Sequence, residues 1–470
     1  MKNHYKYLFA LPALALMMAA CDDDEPKINF VETSGIVAKV TATSIAQGQE
    51  VDYDAVTSVT ITYDSEVALS TLVTPTLNGE SASWAYATDT DGNSVFSQAV
   101  VALSLNPGCS YVLSIPERAA AGVNSGVYAE AYTLNFTTKA KATTPTNIQS
   151  LTNSSATQAA QNLYSYLVDN YGSKMLTGTM GAVAWATDYY DFITVQAGAA
   201  PKVIGFDYIH LASSPANWID YGDITPVKNA TDAGAIATMS WHWNVPTEQG
   251  GSNLVYSTDC GDFSPSNVLV SGTWENEVAE ADIAKLASYL QLLQDAGIAI
   301  LWRPMHEAAG DYTWGPWFWW GKDGVDVTKQ LWIYLHDKLV NDYGLNNLIW
   351  VWTMQTTDAG NLATVAQLQS AYPGDDYVDI VGIDLYPSEA LTDQSASYQL
   401  AHEAVDGKKM VALSECGNLI DPAQAYANSA LWSYFMQWYD LDDNGTFGFY
   451  NYSGPDQWQT VVSSPYVINR

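Results

Sequence analysis

The pattern of hydrophobic and polar positions changes rhythm twice along the chain. From Met1 to Ala20, Lys2 and Lys6 precede an apolar run, Leu8 to Met18, that ends on Ala19 and Ala20. This is the layout of a secretory signal, 1–20, removed from the mature protein. Over 29–139 apolar residues alternate with polar ones: Val59, Ile61 and Tyr63, then Tyr111, Leu113 and Ile115, then Tyr132, Leu134 and Phe136. Period two puts each set on one face of a strand. Turn signals at Asp91-Gly92-Asn93 and Asn106-Pro107-Gly108 separate them. Short strands with no convincing helix predict a small β-sandwich, followed by a Thr-, Pro- and Ala-rich linker, 140–150.

Beyond Leu151 amphipathic stretches alternate with short apolar runs: Met175 to Met180, Lys202 to Tyr208, Ala235 to Trp243, Ala299 to Glu307, Leu348 to Gln355, Tyr377 to Pro387, Lys409 to Gly417 and Thr446 to Ser453. Between them, Glu275 to Ala296 places Ile283, Leu286, Leu290 and Leu293 at helical spacing before Gly297, and a second helix runs from Val327 to Tyr343. Eight strand-helix units predict a (β/α)8 barrel over 151–470, with its chemistry at the C-terminal ends of the strands.

Composition narrows the partners. Lys and Arg number 18 against 51 Asp and Glu, a net charge of -33, which repels nucleic acid and anionic lipid. Trp and Tyr number 17 and 30 against 11 Phe, favouring rings that also carry a hydrogen-bonding group. A sugar, with an apolar face and a rim of hydroxyls, fits such rings. Besides Cys21, Cys109, Cys260 and Cys416 lack zinc or disulfide-framework spacing. Core thiols are the default, with a Cys260–Cys416 bridge left open.

Five strand ends carry polar residues that a core would reject: Asp207, His242, Arg303 with His306 and Glu307, Asp384 with Tyr386, and Glu415. Glu307 and Glu415, at the ends of strands four and seven, can face each other across one mouth. Two such carboxyls serve as proton donor and nucleophile at about 5 to 5.5 Å, or as acid and base around a water at about 6.5 to 9.5 Å. Period two places Arg303, Met305 and Glu307 on one side of strand four, and Val411, Leu413 and Glu415 on one side of strand seven. Arg303 then lies one layer below Glu307, where it can keep Glu415 ionised. The same alternation brings Tyr386 to the rim above Asp384.

WRPMHE at Trp302 to Glu307, GPWFWWG at Gly315 to Gly321, HWNVP at His242 to Pro246, DLYP at Asp384 to Pro387 and SECG at Ser414 to Gly417 resemble glycoside hydrolase family 26. The resemblance implies a retaining mechanism with Glu307 as acid/base and Glu415 as nucleophile. It implies substrate contacts from His242, Arg303, His306, Trp317, Asp384 and Tyr386, although the tract Asp311 to Pro316 is longer than the family pattern. It further implies endo-β-1,4-mannanase activity on mannan, galactomannan or glucomannan. Mixed-linkage β-glucan, β-1,3-xylan and mannobiose release are alternatives within the family. Cys21 after Ala19-Ala20 is similar to a bacterial lipoprotein box. The acidic run Asp22 to Glu25 resembles the export tag of Bacteroidetes surface lipoproteins. That resemblance implies a lipid anchor at Cys21, a tether over 21–28 and a cell-surface position on the outer membrane, or a periplasm-facing one. The 29–139 segment resembles the immunoglobulin-like modules that precede secreted enzymes.

Other chemistry fails on spacing, and neither cofactor nor metal is expected. His306-Glu307 and His402-Glu403 lack the second His of a zinc protease motif. Asp440, Asp442, Asn444 and Gly445 imitate a calcium loop, yet the twelfth position is Asn451, so a turn is expected. A non-catalytic glycan-binding lipoprotein is the rival from another class, and it leaves the two glutamates without a task.

Overall fold

A computed structural model describes residues 37–470, apart from 52, 54–55, 107–108, 139–147, 183–184 and 359. The secretory signal, Cys21 and its tether, the Pro107-Gly108 turn and most of the linker lie outside the described residues. The chain divides into two compact units, Met1–Ala142 and Thr143–Arg470.

In the first unit, Val40–Thr43, Ser58–Tyr63, Ser94–Ala102 and Trp84–Thr88 form one sheet in the spatial order of Val40, Ser58, Ser94, Trp84. A five-stranded sheet contains Tyr132–Thr138 and Ser110–Ile115, paired antiparallel with Leu134 opposite Leu113. The predicted alternation holds: Val59, Ile61, Tyr111, Leu113, Leu134 and Phe136 share one buried core. At the Asp91-Gly92-Asn93 turn, Asp89 Oδ1 accepts from the amides of Asp91 (2.9 Å) and Asn93 (2.8 Å), and Gly92 takes φ +85, a conformation that glycine adopts without steric cost.

The second unit is a closed barrel of parallel strands: β1 (Gly178–Met180), β2 (Val203–Asp207), β3 (Ile236–Trp241), β4 (Ile300–Pro304), β5 (Leu348–Met354), β6 (Ile380–Leu385), β7 (Met410–Cys416) and β8 (Phe435–Gln437). Leu301, Ile349, Val351, Ile380, Met410 and Ala412 pack together at its floor with Tyr164 and Leu167 of the helix Gln158–Asn170. The predicted 275–296 helix forms as Trp274–Asp295. Thr273 accepts from the Asn276 amide at its start, and Ile283, Leu286, Leu290 and Leu293 are buried. The second predicted helix is Val325–Asp337, running on into the π-helical turn Lys338–Asp342.

Two expectations are corrected. The eighth strand is Phe435–Gln437, not Thr446 to Ser453. A parallel strand buried on both faces shows no alternation, and here its apolar run is only Tyr434 to Met436, bounded by Ser433 and Gln437, whereas Phe447 and Phe449 imitate alternation in a loop. That loop is held by Asp440, whose Oδ2 accepts from the amides of Tyr450 (2.7 Å), Asn451 (2.7 Å) and Tyr452 (3.0 Å). The calcium-like stretch is the expected kind of turn, with Asp442 Oδ1 accepting from Asn444 and Thr446, but it follows strand eight. Second, Met175 to Met180 splits: Met175–Leu176 pairs with Val467–Ile468, and only Gly178–Met180 joins the barrel. The default for the cysteines holds: Cys260 and Cys416 are both free and buried, and the bridge left open between them does not form.

Candidate active site

The site is assembled by the ends of β4, β6 and β7. β4 turns Arg303 inward, 1% exposed, and the chain then breaks from extended geometry: Met305 and Glu307 have φ +47 and +52. Left-handed backbone is unfavourable for both residue types, and such strain persists where surrounding structure imposes it, commonly at functional sites. The expected alternation from Arg303 through Met305 to Glu307 therefore does not apply, because the strand ends at Pro304 and two left-handed residues swing Glu307 over the mouth. Gly310 supports this turn. A Cβ there would lie 2.4 Å from Pro316 Cα.

Strand seven departs from simple alternation too. Ile383 pairs with Leu413 but Asp384 with Glu415, so Ser414 is an extra residue in the ladder. Met410 and Ala412 face the floor, and the bulge then brings Ser414 and Glu415 both inward. Ser414 Oγ donates to Asp384 Oδ1 at 2.6 Å.

Arg303 ties the carboxylates together, with Nη1 donating to Asp384 Oδ2 at 2.9 Å and Nη2 donating to Glu415 Oε1. Tyr386 Oη donates to Glu415 Oε2 at 2.8 Å, so both oxygens of Glu415 are engaged. Glu307 instead accepts from Trp317 Nε1 at 2.6 Å. The long tract before Trp317 leaves its ring on the acid: Asp311 pairs with Gly315 across a tight reversal and returns the chain. The neighbouring indoles are structural. Trp319 donates to the Trp243 carbonyl (2.7 Å) and Trp320 to the His306 carbonyl (3.0 Å).

Oxygens of Glu307, Asp384 and Glu415 lie within 4.8 Å of one another. The Arg303 guanidinium already takes the place that a cation would need on two of these groups, so the cluster suits proton and carboxylate chemistry better than metal binding. Burial, then the charges of Asp384 and Glu415, raise the Glu307 carboxyl well above its ordinary range. Burial also pushes Glu415 up to about 7, against the pull of Arg303, His242 and the Tyr386 hydrogen bond. Of the two glutamates only Glu415 bears the guanidinium, which favours a single shared proton on Glu307.

The eight predicted site residues of the barrel converge. His242, His306, Glu307, Tyr386 and Glu415 line a cleft of about 330 Å³, within the usual range for small-molecule sites. Arg303 and Asp384 lie beneath it, and Trp317 reaches it through Glu307. The cleft also includes Asp207, Tyr256, Phe318, Trp438 and Tyr439, which sequence reasoning did not name as site residues. Asp207 stood out only as a polar strand end, and the misplaced eighth strand hid Trp438 and Tyr439, which directly follow the true one.

A carboxyl pair at this spacing, oppositely supported at the C-terminal mouth of a (β/α)8 barrel, defines the class as the glycoside hydrolase type. Residues 152–469 match the model of glycosyl hydrolase family 26. The chain belongs to that family. It is 35% identical over 329 residues to a mannan endo-1,4-β-mannosidase of Thermothelomyces thermophilus, covering 68% of this chain and 62% of that protein. It is 33% identical to mannan endo-1,4-β-mannosidase B of a Piromyces species, covering 61% of this chain and 48% of that one. The chain thus spans about half to three fifths of the length of these curated relatives. The family 26 domain of an endo-β-mannanase/endo-β-glucanase from Prevotella bryantii superposes with a TM-score of 0.61 at 39% identity, covering 68% of this chain and 98% of that one.

Proposed function

We propose that the chain is a retaining endo-β-1,4-mannanase acting on mannan, galactomannan or glucomannan by double displacement. The carrying observation is the carboxyl pair: Glu307 and Glu415 have oxygens within 4.8 Å, and their partners differ in kind. That separation suits direct attack on the anomeric carbon and leaves no room for the intervening water of an inverting enzyme. In the first step Glu307 protonates the leaving oxygen while Glu415 attacks the anomeric carbon, forming a glycosyl-enzyme ester. In the second, Glu307 removes a proton from water, which attacks the same carbon and frees Glu415. Arg303 and Tyr386 hold Glu415 ionised and aimed, and His242, His306 and Trp317 serve as sugar contacts.

The mannan preference rests on relatives named mannan endo-1,4-β-mannosidase. Reducing-sugar release from galactomannan by the native protein, abolished in Glu415→Ala, is the expected result. Cleavage of lichenan with galactomannan left intact would overturn the substrate and spare the mechanism. Binding of galactomannan without cleavage would favour the glycan-binding reading.

The N-terminal reading supports an acylated Cys21, an acidic tether and a cell-surface position on the outer membrane, with the β-unit as an immunoglobulin-like spacer. Palmitate incorporation that disappears in Cys21→Ala, together with protease sensitivity on intact cells, is the expected outcome. Labelling without protease sensitivity would indicate a periplasm-facing protein.

A further inference from the structure

Asp207 has no part in the double displacement as described, yet it is bonded to His242, one of the sugar contacts. Asp207 ends β2, is 4% exposed, and faces Ser240 of β3 across the ladder. Its carboxylate is committed to that neighbouring strand. Oδ1 accepts from the His242 amide at 3.1 Å; Oδ2 bonds His242 Nδ1 at 2.5 Å and accepts from Ser240 Oγ at 3.0 Å. Two attachments to one residue fix the backbone and the ring together, and the carboxylate makes Nδ1 the donor. Nε2 is then the nitrogen left to the cleft that the ring lines, and among the described residues no side chain takes it.

The titratable and charged groups facing this ring are Asp207 on β2, Arg303 and His306 from β4, Glu415 on β7, Tyr256 after β3 and Tyr439 after β8. His306 meets it edge to face with ring centroids 4.4 Å apart. Two imidazoles in contact do not both carry a charge at neutral pH. Burial, then the charges of His242 and Arg303, hold His306 well below the ordinary histidine range. Burial alone would lower His242 as well, but the Asp207 carboxylate more than offsets it and the net direction is upward. The carboxylate thus decides which histidine is the cation, and that cation favours an ionised Glu415.

We propose that Asp207 is a positioning residue that keeps His242 an imidazolium, its Nε2–H presented to a hydroxyl of the sugar that Glu415 attacks. The inference rests on the reading of Glu415 as nucleophile. His242 keeps its proton throughout turnover, so nothing is transferred, and a donor with fixed charge awaits the substrate.

The test compares wild type, Asp207→Asn, His242→Asn and the double variant on a β-1,4-mannooligosaccharide. Asp207→Asn is expected to lower kcat/KM by roughly 10- to 100-fold, the scale of one charge-assisted hydrogen bond. In the His242→Asn background the same change is expected to cost less than about 2-fold, because Asp207 acts through the ring. An undiminished cost there would overturn the proposal, since a general structural role does not need His242. Imidazole ¹⁵N NMR supplies a second readout that requires no variant to fold. Wild-type His242 is expected to stay protonated to higher pH than His306, and Asp207→Asn to titrate lower. A wild-type His242 that is neutral throughout about pH 5 to 8 would overturn the proposal whether or not the protein cleaves mannan. Normal His242 titration in a protein that leaves mannan intact would instead count against the double-displacement reading and support the pair.

Discussion

The floor and the mouth of the barrel are built from the same strands, a few residues apart, yet they follow opposite rules. At the floor, Leu301, Ile349, Val351, Ile380 and Met410 are fully buried apolar side chains, each contributing about 1.5 to 3 kcal/mol through removal from water. Two to five residues further along, Arg303, Thr353, Asp384 and Glu415 are almost as buried, at 4% exposure or less. There burial opposes folding unless every charge is matched. The mouth solves this with one guanidinium shared between two carboxylates, a hydroxyl on each, and left-handed backbone at Met305 and Glu307. Stability and chemistry are thus separated along each strand, and burial serves packing at one end and pKa control at the other.

Arg303→Met removes the charge on which the mouth depends and should have the largest effect. Two buried carboxylates lose their cation, so unfolding should ease by about 3 to 5 kcal/mol in denaturant titrations, and kcat/KM should fall roughly 10³-fold or more. Loss of a cation raises a carboxyl's pKa, so residual activity should appear only at higher pH than in wild type.

Glu307→Gln should separate the two currencies. Activity on substrates with poor leaving groups should drop roughly 10²- to 10⁴-fold, while thermal stability at neutral pH should rise. Burial raises the folded-state pKa of Glu307 above the unfolded value of about 4.3. The folded protein therefore binds more protons, and stability is lost as pH climbs from that unfolded value through the folded one. The gain of the Gln variant should vanish near pH 4, about the unfolded value, and scanning calorimetry across pH would reveal it.

The floor should respond in the opposite sense. Leu301→Ala should cost about 2 to 5 kcal/mol of stability and leave kcat/KM per folded molecule nearly unchanged, as denaturant titration and kinetics below the melting transition would show. The smallest effect is expected for Trp317→Phe, with kcat/KM reduced by roughly 3- to 10-fold. The indole N–H lowers the Glu307 pKa, so its loss should raise that pKa further and move the alkaline limb of the pH profile upward.

The same contrast explains what could be read before the structure. Floor residues declare themselves by periodicity, and a polar residue at a strand end declares a mouth, which is how Glu307, Glu415 and Arg303 stand out from single residues. The Arg303–Glu415 contact follows from placing strands four and seven on one ring. Its detailed route does not follow, because the Ser414 bulge depends on how β6 and β7 register against each other, and the turn at Met305 and Glu307 on the packing of Gly310 against Pro316. Strand eight was missed because a short strand buried on both faces has no period of its own. Asp207 required knowledge of its neighbour across the ladder.

The central claim is that Glu415 forms a covalent bond to the sugar with Glu307 as its proton partner. Proton NMR of a β-1,4-mannooligosaccharide during the first minutes of hydrolysis reads this directly, from the anomeric configuration of the newly released reducing end. The β-anomer should accumulate first and only later equilibrate with the α-anomer by mutarotation. The α-anomer appearing first would mean a single displacement by water, and would contradict the account.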